Sequence, residues 1–79
     1  MTQKFMEVAI RLSIDHMRAG HGGPFGAVVA RKGHILGRGW NQVTSANDPT
    51  AHAEIVAIRE ACGRLGTYRL DHCEIYASC

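Results

Sequence analysis

Residues 47–54 read Asn-Asp-Pro-Thr-Ala-His-Ala-Glu, and the interpretation of the whole chain starts from this stretch. Asp48 is a favourable N-cap residue, and Pro49 suits a first helical turn, because the N–H that proline lacks would have no partner there. The apolar residues that follow recur at helical spacing, namely Ile55, Ile58, Ala61 or Cys62, and Leu65. The stretch therefore predicts a helix that is capped by Asp48 and ends near Gly63 or Gly66.

His52 and Glu54 should lie in or beside the first turn of this helix, where backbone N–H groups have no intrahelical partner. Residues two apart are separated by about 200° around a helix axis, yet at a helix mouth both side chains can reach one cavity. A neutral imidazole can bind a metal ion, and a carboxylate beside that ion can transfer protons. His-x-Glu alone is a common pattern, so the surrounding residues must decide between a metal site and an ordinary helix start.

The composition predicts one domain at most. The chain has 79 residues, and a domain of this size buries only about 60% of its unfolded surface, so it depends on a metal, a partner or a disulfide. Nine basic and seven acidic residues form no cationic run, which makes the pI of 8.6 a weak argument for nucleic-acid binding. Charged residues interrupt the first apolar stretch, so we expect no signal-peptide core and no membrane span.

The three cysteines are Cys62, Cys73 and Cys79. They are odd in number and lack C-x-x-C spacing, so they predict no disulfide framework. We expect Cys62 and Cys73 to be small buried hydrophobic residues and the protein to be cytoplasmic.

The remaining periodicities predict the order α-β-β-α-β. The first helix covers about Gln3 to Ala19, and His16 lies on its apolar stripe as a packed residue rather than a metal ligand. Strands at 25–30 and 35–40 form a hairpin through a turn at 31–34, and residues 73–77 form a third strand. A helix between the second and third strands allows a parallel pair, so the sheet is predicted to be mixed and flanked by helices. The polar segment 41–48 should line the mouth of the second helix.

Four stretches resemble the cytidine deaminase superfamily and, within it, the bacterial guanine deaminases. They are Gly-Gly-Pro-Phe-Gly-Ala-Val-Val at 22–29, Asn-Asp-Pro-Thr-Ala-His-Ala-Glu at 47–54, Ala-Ile-Arg at 57–59 and Ile-Tyr-Ala-Ser-Cys at 75–79. The resemblance implies an α/β fold, the cytidine-deaminase-like three-layer sandwich. In that family a Glu-Pro-Cys-x-x-Cys segment follows and completes a zinc site. We therefore expect residues 1–79 to be the N-terminal part of one zinc-dependent deaminase domain, whose two cysteine ligands lie beyond Cys79.

The resemblance also implies roles for individual residues. His52 would be a zinc ligand, and Glu54 would be the catalytic acid and base that deprotonates water and protonates the base and the departing amine. Asn41, Phe25 and the backbone N–H of Ala53 would bind the substrate, with Phe25 as an apolar wall for the ring. The implied reaction converts guanine to xanthine and ammonia.

Other interpretations stay open at this point. A tRNA adenosine deaminase, a cytosine deaminase or a riboflavin-pathway deaminase would share the same fold, although the sequence shows no concentrated basic face for RNA. Without the resemblance, Asn41 would be a turn-forming residue and Phe25 a core residue. In a different class, the chain would be an inactive structural or dimerisation module. The small core favours a homodimer, and the expected partner molecule is a small nucleobase rather than a nucleic acid or a membrane.

Overall fold

The computed structural model describes residues 2–18 and 25–78. It contains two helices and three strands: α1 (Thr2–Arg18), β1 (Gly26–Arg31), β2 (His34–Trp40), α2 (Ala53–Leu65) and β3 (Glu74–Ser78). The α-β-β-α-β order confirms the prediction from periodicity. Among these residues no helix is long and apolar enough to cross a bilayer.

Strands β1 and β2 form the predicted antiparallel hairpin, in which Arg31 is paired with His34. Its two-residue loop has positive φ at both positions, 50° at Lys32 and 78° at Gly33, which matches the right-handed twist of the strands. Val29 is opposite Gly37 and Ala30 is opposite Ile35, so the register shifts by one residue in β2. This bulge was not predicted.

The predicted parallel pair is wrong for the described residues. The sheet order is β2-β1-β3, and β3 pairs with β1 in the antiparallel direction, from Gly26 opposite Ser78 to Ala30 opposite Glu74. Because β2 and β3 are both antiparallel to β1, they run in the same direction at opposite edges of the sheet. The chain from β2 through α2 to β3 is thus a crossover that passes over β1 instead of placing the two strands side by side.

The helices cover the two faces of the sheet and give the predicted three layers. Alternate residues of β1 point to opposite faces. Ala27 and Val29 join the core beneath α2, while Val28 and Ala30 join the core beneath α1. The interior of the domain therefore depends on β1, which is the central strand.

Helix α2 packs on the sheet through alanines rather than through the larger apolar residues that the sequence emphasised. Ala53, Ala57 and Ala61 are almost completely buried and lie four residues apart on one face. Ile55, Ile58, Cys62 and Leu65 are only partly buried. The helix ends at Gly66, which has φ 71° and donates its N–H to the carbonyl oxygen of Cys62, as expected for a left-handed C-cap glycine.

Glycines in the strands allow this close helix packing. A Cβ atom at Gly39 would lie 2.2 Å from the carbonyl oxygen of Ala53, and one at Gly37 would lie 2.2 Å from the carbonyl oxygen of Ala57. On the opposite face, a Cβ atom at Gly26 would lie 2.1 Å from the carbonyl oxygen of Ala9. Gly26 thus marks a close backbone approach, one of the two roles that glycine has inside a strand.

Candidate active site at the start of helix α2

Helix α2 begins at Ala53, so the predicted N-cap at Asp48 is wrong. The N-cap residue is His52, which has extended backbone angles (φ −71°, ψ 156°) and makes no side-chain capping hydrogen bond. The Asp48 carboxylate instead accepts hydrogen bonds from the backbone N–H of Thr50 at 2.9 Å and from the Thr50 hydroxyl at 2.7 Å. Asp48 therefore closes a turn around Pro49, and the helix starts after that turn.

His52 and Glu54 nevertheless lie where the sequence predicted, at the cap and in the first turn. Both are exposed, whereas Ala53 between them is buried against the sheet. Since Ala53 faces the sheet, the residues on either side of it are directed away from the packed interface. The imidazole and the carboxylate are thus both accessible at the mouth of the helix.

The polar segment after β2 lies beside this helix start, as predicted. The Gln42 N–H donates to the carbonyl oxygen of Ala51 at 2.8 Å, which joins the two segments directly. Asn41 donates its backbone N–H to the carbonyl oxygen of Phe25 at 3.3 Å, and its side-chain oxygen accepts from the N–H of Val43 at 3.1 Å. The predicted substrate residues Asn41 and Phe25 are therefore neighbours, and Phe25 is 39% exposed.

A polar network fixes the turn that precedes His52. The Arg59 guanidinium lies 3.4 Å from the Asp48 carboxylate and donates to the Thr50 hydroxyl at 3.2 Å. The hydroxyl and N–H of Thr50, and then the Arg59 charge, lower the pKa of Asp48 below its usual value. This role of Arg59 was not predicted, because a contact between residues eleven positions apart has no local sequence signal.

The described residues supply only part of a metal site. No group of three or more His, Cys, Asp or Glu side chains in 2–18 and 25–78 could hold a metal ion. Cys62 and Cys73 are free thiols that are partly buried, and His72 is an exposed turn residue with φ 61°. At the start of α2, the described residues offer one imidazole, that of His52, whereas zinc favours four ligands. Cys79 lies outside the described residues.

Two depressions in the described structure lie away from this helix start. One is shallow and lined by residues of α1, and the second lies between Val29, Ile58, Leu70 and β3. Neither is lined by His52, Glu54, Asn41 or Phe25. The candidate site therefore belongs to neither of these two depressions.

The comparison with known proteins identifies the family. The model of the family described as "Cytidine and deoxycytidylate deaminase zinc-binding region" matches residues 1–79. The chain belongs to this family. It is 52% identical over 77 residues to guanine deaminase of Bacillus subtilis, and it superposes on the crystal structure of that enzyme with a TM-score of 0.94, covering 98% of this chain and 49% of the enzyme.

Two other relatives show the range of substrates in the family. The tRNA-specific adenosine deaminase of Aquifex aeolicus is 43% identical over 74 residues, with 94% of this chain and 48% of that protein covered. A structure of guanine deaminase from Nitrosomonas europaea matches with a TM-score of 0.86 and 32% identity, over 94% of this chain and 44% of that one. The chain thus spans about half the length of the relatives that it matches.

Proposed function

We propose that the full-length protein carrying this sequence hydrolyses the exocyclic amine of a nucleobase, and that guanine is its substrate. The observation that carries the proposal is the pairing of an accessible imidazole and an accessible carboxylate at the start of α2, beside Asn41 at the end of β2. The likeness to two guanine deaminases supports guanine over other bases. In the reaction, water adds its oxygen to C2 of guanine, the C2–N bond breaks, and xanthine and ammonia form.

Glu54 would carry the protons in this reaction. Its carboxylate would take a proton from the attacking water and deliver protons to a ring nitrogen and to the departing amine, as general acid and base catalysts do. Asn41 has both donor and acceptor groups and would bind the edge of the base, while the first N–H of α2, at Ala53, would donate to a ring atom or a carbonyl. Phe25 would contact one face of the ring.

Zinc is part of the proposal, with His52 as the ligand from this chain. Bound zinc would lower the pKa of water to about 7 and so supply the nucleophile at neutral pH. One imidazole does not complete a zinc site, and the resemblance to the deaminase superfamily implies that two cysteine thiolates from beyond residue 79 would complete it. This implication agrees with the domain assignment that we propose, in which residues 1–79 are the N-terminal part of a single domain.

Metal content tests the role of His52 independently of activity. The full-length protein should contain about one zinc ion per chain, and His52→Ala should lose most of it. His34→Ala is the control, because His34 is an exposed histidine at the start of β2, next to the hairpin turn. Equal zinc in both variants would contradict the assignment of His52.

Ammonia release from guanine, adenine, cytosine and tRNA tests the reaction. We expect release from guanine, a loss of at least about 100-fold in kcat for Glu54→Gln, and little change for Glu7→Gln, an exposed carboxylate of α1. Release from tRNA alone would favour the tRNA adenosine deaminase alternative, for which the Aquifex relative is the supporting observation. Zinc-free protein without activity on any substrate would favour a structural module.

We also propose that the full-length protein is a homodimer. Within the described residues, β3 is at an edge of the sheet and its Ile75 is 48% exposed. Residues beyond 79 would contribute to covering this edge, so the dimer proposal depends mainly on the small core of the described residues, which a partner chain would enlarge. Sedimentation equilibrium of the full-length protein distinguishes a dimer from a monomer.

A further inference from the structure

Two aromatic rings outside the site stack on each other at its border. The imidazole of His16, near the end of α1, lies parallel to the indole of Trp40, the last residue of β2. The ring centroids are 3.8 Å apart and the planes differ by 2°. Trp40 is partly buried. The sequence predicted only that His16 would be packed.

The stack lies directly next to the candidate substrate-binding residue. Trp40 immediately precedes Asn41, and Gly39 on its other side touches the backbone of α2 so closely that a Cβ atom would lie 2.2 Å from the carbonyl oxygen of Ala53. Because side chains alternate along a strand, Trp40 lies on the face of α1 and Gly39 on the face of α2. The end of β2 is therefore held from both faces, by α1 through the ring stack and by α2 through the glycine.

We propose that His16 is a positioning residue, which fixes Trp40 and thereby the backbone at the end of β2 from which Asn41 extends, while the Asn41 carboxamide itself is held by the N–H of Val43. This inference rests on the proposed nucleobase deaminase function. In this proposal His16 does not touch the substrate, and its effect on the site passes through the stack on Trp40. Glu54 and His52 are held separately by α2 and by the turn at 48–50, so the loss of the stack should affect substrate binding and leave the proton-transfer group in place.

The test compares two variants of the full-length protein, one that keeps an aromatic ring at position 16 and one that keeps only hydrogen-bonding groups there. His16→Phe keeps a planar ring that can stack on Trp40, and His16→Gln keeps hydrogen-bonding capacity but has no ring. For guanine we expect His16→Gln to raise KM about three- to tenfold, the loss of about one hydrogen bond between Asn41 and the base, with kcat within about twofold. His16→Phe should restore KM to near the wild-type value. Ile14→Ala, on the same half of α1 and 36% exposed, is the control.

Each result has a distinct meaning. A raised KM in His16→Gln with rescue by His16→Phe supports the proposal. Unchanged KM in both variants overturns it, and so does a fall in kcat at unchanged KM, because that pattern indicates a loss of folded enzyme. A raised KM in both variants also overturns it, since the polar atoms would then matter rather than the stack. Wild-type protein without activity on any nucleobase would instead show that the proposed function itself has failed.

Discussion

Replacing Gly39 by alanine tests the contact that joins the end of β2 to the start of α2. The new Cβ atom would lie 2.2 Å from the carbonyl oxygen of Ala53, 2.5 Å from the N of Ala57 and 3.1 Å from the Cα of Ala57. All three atoms belong to the backbone, so no side-chain rotation relieves the overlap. The strand and the helix would have to separate by about 1 Å to reach ordinary van der Waals contact at 3.4 Å.

That separation determines the expected magnitude. One methyl group forced into a packed interior costs about 1–3 kcal/mol, and this site is at the upper end because the backbone of α2 must move. We therefore expect Gly39→Ala to lower the free energy of unfolding of the full-length protein by about 3 kcal/mol. The same movement would shift Asn41 away from the start of α2, so activity should fall even under conditions where the variant is folded.

The assay is equilibrium unfolding in urea, followed by far-UV circular dichroism, with Gly63→Ala as the matched control. Gly63 lies inside α2, and a Cβ atom added there would meet no atom within 4 Å beyond the local helix backbone, so alanine should stabilise the helix by about 0.5–1 kcal/mol. The two glycine-to-alanine changes should thus have opposite signs. A Gly39→Ala variant as stable as the wild type would refute the close packing of β2 and α2 that we describe.

Three further predictions concern other contacts. The pKa of Asp48 is lowered in the folded state, so the ionised carboxylate stabilises the fold above pH 3.8, and this contribution is lost as the pH falls through the folded-state pKa. In acid unfolding curves, the difference in stability between wild type and Asp48→Asn should therefore shrink below about pH 4. Val28 is completely buried, and Val28→Ala should lower the free energy of unfolding by about 1–3 kcal/mol in urea unfolding. Serine is a better N-cap than histidine, so His52→Ser should raise the free energy of unfolding of the metal-free protein by about 0.5–1 kcal/mol in thermal unfolding. The same variant should lose zinc binding.

Local patterns predicted the elements of this fold well. The hairpin follows from two short apolar runs separated by a turn at 31–34, which the structure narrows to Lys32 and Gly33. The end of α2 was predicted near Gly63 or Gly66 and lies at Gly66. Each of these signals is contained within a few residues. The pairing of β3 with β1 could not be predicted in this way. A crossover helix specifies that two strands run in the same direction, but it does not specify that they are adjacent. The strand that lies between them here comes from an earlier part of the chain.

The prediction that Asp48 caps α2 was wrong for a different reason. Asp48 and Pro49 have the residue types of a helix start, but the same carboxylate can instead accept from the N–H and the hydroxyl of Thr50. Asx turns and N-caps use the same side-chain chemistry, so composition alone does not distinguish them. The placement of His52 and Glu54 was predicted despite this error, because both lie near a helix mouth in either register.

Histidine is an unusual residue at the N-cap of a helix, which is where His52 lies in α2. Its side chain makes no capping hydrogen bond there. The chain compensates in the preceding loop, where the carbonyl oxygen of Ala51 accepts from Gln42 and that of Thr50 accepts from the His52 N–H at 2.9 Å. The backbone at the cap is thus held without help from the imidazole, which is left exposed. A residue selected for helix stability alone would be serine or aspartate, and the exposed imidazole agrees with the zinc-ligand role that we propose for His52.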